Sequence, residues 1–477
     1  MHILEKETIF KINKSLANSY YKEWVGYFEN ILKDTRDEKY RFNRKELLAM
    51  QLELAKVETM LWKTLREGRE CAKKLQQLKL QQKLTETDEK SLGNLENHIF
   101  INEQLVRISR TICDGIAWRN LKYNRTFLNS SARGFGAGDV DINNESFKSE
   151  FDWAYRISEA FDSVVLLNDL THFLRVGDLT EISDKGIFIH EIKKLGKKII
   201  NLFTLKKLKE SGEISDQSKR LLELQRIALS ESAIIGDIHV RTERLNVELK
   251  TNFDKLSQLL EKSENELVVS ELIEPCLTLH ITNFHAISLA GNTVNIDNLK
   301  SKLVYPSKKG LLLPQSNWDT FYSDEKGNFL RSAVPYSVYP LFEKHCIKLI
   351  SGHYLVNCIL DVEKLKEILQ VHGWIVEEIT EKELDQQLAI YESAEKTIFL
   401  KKNSIYNFAP NEIGILKIKR GAFSLNLTPT FYSRFTMEFM KLETFLEMME
   451  EMYLIASIKK KSDLYFPTLK NDFNIWN

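Results

Sequence analysis

The stretch Arg175–Lys194, RVGDLTEISDKGIFIHEIKK, gathers the residue types that metal-assisted hydrolysis needs. Ser183-Asp184-Lys185-Gly186 reads as a turn between two short strands. The first strand carries Val176, Asp178, Thr180 and Ile182, and the second runs from Ile187 to Lys193. Side chains alternate faces along a strand. Ile187, Ile189, Glu191 and Lys193 therefore point one way, and Phe188, His190 and Ile192 the other. An acid and an ammonium two apart share a face, and Asp178 on the neighbouring strand completes a small pocket for a divalent cation. Magnesium prefers oxygen ligands in near-octahedral geometry and keeps several waters. The carboxylates of Asp178 and Glu191, with the backbone carbonyl of Ile192, would supply half of such a shell, for Mg²⁺ or Mn²⁺. The Lys193 ammonium would orient the nucleophilic water or stabilise developing charge, and a nearby cation would depress its pKa. Hydrolysis of a phosphodiester asks for these same services: an activated water, charge stabilisation on phosphoryl oxygens and help for the leaving oxygen.

Acid-x-Lys triplets are common in a chain with 67 acidic and 67 basic residues. Asp37/Lys39, Asp88/Lys90, Glu248/Lys250 and Asp324/Lys326 are others, in polar or helical surroundings. Glu191/Lys193 instead closes the run Ile-Phe-Ile-His, which a strand can bury on both faces. Asp178, followed by Glu191-Ile192-Lys193, resembles the D…ExK core of the PD-(D/E)xK, restriction-endonuclease-like nucleases, over about residues 147–231. That resemblance implies a helix before the strand pair with a further acid, for which Glu159 is the choice and Glu150 the alternative. It also implies a helix after ExK that, in the RecB-like exonuclease branch, turns a glutamine to the site; Gln225 in LLELQRIAL fits. Two positions depart from the family: Gly177 stands where a proline precedes the first acid, and Leu229 where a tyrosine often follows the glutamine. The resemblance makes Asp178, Glu191, Lys193, Glu159 and Gln225 the catalytic set. Its implied activity is metal-dependent phosphodiester hydrolysis, with DNA the expected substrate. By analogy of architecture alone, large chains of this kind suggest bacterial defence against foreign nucleic acid.

Lysines 193, 194, 197, 198, 206, 207 and 209 put seven ammonium groups into seventeen residues. Such a run is a solvated face, or, beside a metal pocket, an attractor of a phosphodiester backbone. Lys194, Lys197, Lys198 and Arg175 are the candidate nucleic-acid contacts, with an ion pair the alternative for Arg175. His190 faces away from Glu191 and reads as a packed histidine, and His172 lies near the start of the first strand. His239, His280, His285, His345 and His353 lack metal-ligand spacing. No GxSxG is present.

The expected fold is α/β (α+β): an N-terminal helical hairpin over 1–114, a central restriction-endonuclease-like core over 115–265, and a mixed α/β domain over 266–477 ending in a long helix. Leu47, Leu48, Leu52, Leu54, Val57, Leu61 and Leu65 recur at helical spacing, with a break near Thr85–Thr87 before a second helix. The mixture of Arg119, Lys122, Arg125 and Arg133 with Trp118, Tyr123 and Phe127 precedes a loop, Gly134-Phe135-Gly136-Ala137-Gly138, that lacks the ending of a P-loop. Phe147–Asn168 and residues 232–275 read as helix, and strand candidates begin at Leu277. A Met-rich helix over Phe431–Ile458 reads as core, or as a partner surface if exposed.

Formal net charge is zero, so whole-chain electrostatics select no partner. Five scattered cysteines without CxxC argue against a disulfide framework and for a reducing compartment. No segment has the apolar length of a signal or membrane span. The expectation is a cytoplasmic protein with nucleic acid as partner and no membrane contact, and a homodimer or partner protein engaged through the helical arm or C-terminal helix. The alternative reading is a non-catalytic protein-binding scaffold with a degenerate nuclease-like core, in which D…ExK is a buried ion pair.

Overall fold

The computed structural model describes residues 18–37, 43–81, 83, 85–124, 127–128, 131, 139–174, 176–193, 198–200, 216–230, 232–235, 238–283, 286, 310–315, 335–378, 416–427, 431, 434–435, 438–458 and 463–468. They form a mixed α/β protein. Helices α1 (Ser19–Arg36), α2 (Arg44–Leu80), α3 (Glu86–Asn120) and α4 (Glu145–Phe161) come first. Strands β1 (Val164–Leu167), β2 (Leu179–Ser183), β3 (Gly186–Lys193) and β4 (Lys198–Ile200) follow, then α5 (Asp216–Ser230), β5 (Ser232–Ile235) and β6 (Ile238–Arg244). After these come α6 (Phe253–Ser263), β7 (Val268–Glu274), β8 (Leu277–Asn283), β9 (Gly310–Gln315), α7 (Glu343–Ile350), β10 (Tyr354–Asp361) and α8 (Val362–Val371). The chain closes with β11 (Ile375–Glu378), β12 (Leu416–Arg420), β13 (Phe423–Leu427), α9 (Leu442–Ile458) and β14 (Asp463–Thr468). No described helix is long and apolar enough to cross a membrane.

α2 and α3 form the expected antiparallel hairpin. Asn43 caps the first through the N–H groups of Lys45 and Glu46, and Thr85 opens the second with a capping box to Asp88. Leu47, Leu54, Leu61 and Leu65 are buried along α2, facing Ile101, Leu105, Ile108 and Ile112 of α3. The second helix runs on past the expected boundary to Asn120, burying Ile116, Ala117 and Trp118. Arginines tie this region to the later chain: Arg36 donates to the carbonyls of Ser337, Tyr339 and Leu341, and Arg119 to that of Ser337.

The helix expected over Phe147–Asn168 stops early. Asp162 takes a left-handed conformation, and the β-branched pair Val164-Val165 starts β1. Strands β1 to β4 make one antiparallel sheet in sequence order. The span 232–275, expected to be helical, is helical only over Phe253–Ser263. Ile238–Arg244 alternates apolar and polar residues and pairs on both edges, antiparallel with β5 and parallel with β14. The order β7-β8-β10-β9 makes an antiparallel sheet, and β11-β12-β13 a smaller one. The terminal helix begins at Leu442, eleven residues later than expected: Phe439 has φ 51° and Met440 bridges to Thr251. Met440, Met448 and Met449 are core, and Met437 lies outside the described residues. So do Gly134–Gly138.

Candidate functional site

The β2–β3 pairing runs from Leu179↔His190 to Ser183↔Gly186. On the face that carries Phe188 and His190, the imidazole Nε2 of His190 meets Oε2 of Glu181 at 2.9 Å. That pair is buried on the side of the sheet away from Glu191, as strand alternation requires.

Val176, Gly177 and Asp178 form a bend rather than the start of β2, which begins at Leu179. Gly177 sits at φ 74°, and a Cβ there would lie 2.5 Å from Cγ2 of Ile189 and 2.9 Å from the His190 carbonyl. A proline, fixed near φ −65°, could not stand in this place. The bare glycine lets the chain press onto β3, and Asp178 then extends the ladder past the end of β2. Its N–H donates to the carbonyl of His190 at 2.8 Å, and its Oδ2 accepts the N–H of Ile192 at 2.5 Å. Asp178 therefore lies against the Glu191-Ile192 segment. The N–H and C=O of one strand residue face the same edge, so the carbonyl of Ile192 is directed to the Asp178 side, away from β4.

Asn168, in a 3-10 turn after β1, shapes the bend. Its N–H donates to the carbonyl of Asp178 at 3.1 Å, and its Nδ2 to those of Val176 and Gly177 at 3.2 and 3.0 Å. Its Oδ1 accepts the hydroxyl of Thr180 at 2.9 Å.

Two further acids act on Asp178 through their charge: Glu150 of α4 and the exposed Asp169 of the 3-10 turn. Glu150 lies in helical register with the buried Phe147, Ala154 and Ile157 and so turns inward; the hydroxyl of Ser146 donates to it at 2.9 Å. Glu159, the acid chosen from the sequence, is not brought to the cluster. Nine residues from Glu150, it points about 180° away around the helix and pairs with Lys45 at 3.0 Å on the surface. Burial pushes the Asp178 carboxyl up to about 7, and the charges of Glu191, Glu150 and Asp169 push the same way against the Ile192 hydrogen bond. Burial also pushes Glu150 up to about 7, helped by Asp169 and Glu191 and opposed by Ser146. Asp169 was missed in the sequence because Asn168 was read as the end of a helix.

Gln225 is buried under β3 rather than presented as a free amide. Its Nε2 donates to the carbonyl of Ile187 at 2.6 Å and its Oε1 accepts the N–H of Ile189 at 2.8 Å. β4 pairs only with Glu191–Lys193, so the glutamine takes the place of a neighbouring strand along the rest of that edge. Lys193 and Lys198 are opposite each other in the β3–β4 register; their side chains, and Lys194, Lys197 and Arg175 entirely, lie outside the described residues. His172 binds Asp114 of α3, Nδ1 to Oδ2 at 2.7 Å.

The donor set of Asp178, Glu191 and the Ile192 carbonyl is all hard oxygen, which suits Mg²⁺ or Mn²⁺. Among the described residues, no three His, Cys, Asp or Glu side chains converge as a ready metal cage. Magnesium uses one or two carboxylates with water and does not call for one, so the residues fit the ion. No family description, curated protein or solved structure matches this chain.

Proposed function

We propose that the chain is a metal-dependent nuclease of the PD-(D/E)xK type, with its centre at Asp178, Glu191, the Ile192 carbonyl and Lys193, and with DNA as substrate. The observation that carries this reading is the Asp178 carboxylate on the Ile192 amide, beside Glu191. Two acids distant in sequence thereby share one small volume with the Ile192 carbonyl. Glu150 and Asp169 add negative charge around it. The charges of Glu191, Glu150 and Asp169 oppose ionisation of Asp178, and a divalent cation would relieve that repulsion.

Asp178 and Glu191, with the Ile192 carbonyl, would hold the ion. When bound, Mg²⁺ or Mn²⁺ supplies Lewis acidity and neutralises charge on phosphoryl oxygens. Glu150, held half-protonated near neutral pH, is placed to take up and return a proton at its carboxyl oxygens. Gln225 holds the β3 backbone at Ile187 and Ile189, ahead of Glu191. Lys193 is given the water-orienting role on its place in the sequence, two residues from Glu191 on the same strand, and on the resemblance. The lysine run after β3 would meet the substrate backbone, and a role in defence against foreign nucleic acid rests on analogy of architecture alone.

The test is supercoiled plasmid with Mg²⁺ or Mn²⁺, using wild type, Asp178→Asn, Glu191→Gln and Lys193→Ala, alongside calorimetric Mn²⁺ binding. Metal-dependent cutting should fall in each variant by more than the ~100-fold typical of losing an outer-shell partner, and Mn²⁺ binding should weaken in the two acid variants. Cutting that survives all three substitutions, or a wild type that neither binds Mn²⁺ nor cuts, would refute the assignment and favour a non-catalytic scaffold.

A further inference from the structure

The helical hairpin reaches the acid site through two buried side chains, one from each helix. Gln51 of α2, 3% exposed, donates from Nε2 to the carbonyl of Val165 at 2.9 Å and accepts the N–H of Leu167 at its Oε1 at 2.8 Å. It thus occupies the outer edge of β1, where β2 is the only strand partner among the described residues. Asp114 of α3, fully buried, accepts at Oδ1 the N–H groups of His172 and Phe173, at 2.6 and 3.3 Å, and binds His172 Nδ1 at Oδ2.

Between these two clamps lie Asn168, Asp169, Leu170 and Thr171. Thr171 closes the segment on itself, its N–H and hydroxyl both donating to the Asn168 carbonyl at 3.0 and 2.9 Å. Asn168 in turn holds the Val176-Gly177-Asp178 bend through three hydrogen bonds and accepts a fourth from Thr180. Hydrogen bonds, joined by short stretches of backbone, therefore link both hairpin helices to the residue whose carboxylate lies on Ile192. As packing groups, a buried amide and a buried carboxylate are poor choices, because each loses hydration that an apolar side chain would not miss. Apart from a 3.4 Å bond from Gln51 to the Leu47 carbonyl, their bonds go to the residues that flank the bend-setting Asn168.

We propose that Gln51 and Asp114 are positioning residues for the acid site, and that the hairpin holds Asn168 and Asp169 so that Asp178 meets the Ile192 amide. The consequence for catalysis rests on the nuclease reading; the positioning itself does not.

The test separates the two. Hydrogen–deuterium exchange of the 186–193 segment is followed in metal-free protein, and Mn²⁺ binding by calorimetry, for wild type, Gln51→Leu, Asp114→Ala and Asp114→Asn. Gln51→Leu and Asp114→Ala should each speed exchange over 186–193 and weaken Mn²⁺ binding by about tenfold, while exchange over 100–110 in α3 stays unchanged. Asp114→Asn keeps an oxygen for the His172 and Phe173 amides and should restore both readouts to near wild type. If Asp114→Ala fails to fold, Gln51→Leu decides, since leucine suits the apolar hairpin. Unchanged exchange over 186–193 in Gln51→Leu overturns the proposal. Faster exchange in that variant with no Mn²⁺ binding by wild type upholds the positioning and removes the nuclease reading instead.

Discussion

Buried acids occur in two settings in this protein, and the two are handled in opposite ways. Inside the hairpin, the fully buried Glu58 accepts from Nε of Arg110 at 3.0 Å and from the hydroxyl of Ser109 at 3.2 Å, and the Arg110 guanidinium lies 5.5 Å from the Trp62 ring centre. At the end of β3, among the described side chains, Glu191, Glu150 and Asp169 are the charged neighbours that act on Asp178, and all three are acids. Glu264, near the surface, makes the same point from a third position. Burial works against its charge, yet hydrogen bonds from Lys348 and Lys344 pull it down to about 2. At Glu58 and at Glu264 the fold sets a cation beside the acid. Around Asp178 the neighbouring acids instead add to the cost of ionising its carboxyl.

The same substitution should therefore have opposite signs in the two places. Glu58→Gln removes one partner of a buried pair and leaves the Arg110 charge uncompensated, a loss of about 3–5 kcal/mol. The urea midpoint would fall accordingly, and a midpoint near wild type would erase the contrast. Glu150→Gln keeps an acceptor for Ser146 and removes a carboxyl that the folded state resists ionising. Without metal at pH 8 it should stabilise by about 1–3 kcal/mol, while Mn²⁺ binding weakens. A destabilised Glu150→Gln would mean that some cation already balances this acid.

The pH dependence sharpens the contrast without any mutation. In the folded protein Glu150 and Asp178 are pushed up to about 7 from ordinary values of 4.5 and 3.8. Between about pH 4 and about pH 7 the folded state thus keeps protons that the unfolded chain has released, and stability falls as pH rises through that window. The contribution is whole below the unfolded values and gone above the folded ones. Melting temperature in EDTA should drop by several degrees across it. Saturating Mn²⁺ should flatten the slope, because the bound cation replaces the protons. A slope of the reverse sign would indicate that these carboxyls are not held protonated in the fold.

Much of this arrangement was readable from residue pattern alone, and the unread parts share a cause. Alternation along Ile187–Lys193 was enough to put His190 and Glu191 on opposite faces, because period two is a local property of the strand. The hairpin was equally local, in the apolar spacing of Leu47 to Leu65 and the cap at Thr85. What failed was register set at a distance. The start of β2 depends on how closely Gly177 can approach Ile189, and the place of Asp169 depends on clamps from Gln51 and Asp114, respectively 118 and 55 residues earlier in the chain. Strand Ile238–Arg244 carries its own period-two signal, missed because the Leu and Phe of Leu245–Leu260 dominate the wider window. Glu150 could have been preferred over Glu159 without coordinates. Phe147, Glu150, Ala154 and Ile157 fall at helical spacing, and Glu159 does not.

That last distinction yields the smallest expected effect and a useful control. Glu159 pairs with Lys45 at 3.0 Å, with both side chains substantially solvent-accessible. Exposed pairs of this kind contribute ~0–1 kcal/mol, because water screens the charges and ordering two long side chains costs entropy. Glu159→Gln should therefore leave the urea midpoint within ~0.5 kcal/mol of wild type and leave metal-dependent cutting and Mn²⁺ affinity untouched. Beside it, Glu150→Gln alters one atom type on the same helix and should change both metal readouts. If instead Glu159→Gln abolished cutting while Glu150→Gln did not, α4 would have to present its opposite face to the sheet. Phe147, Ala154 and Ile157 would then turn to water, so a pair of conservative substitutions is enough to decide which side of this helix meets the acids.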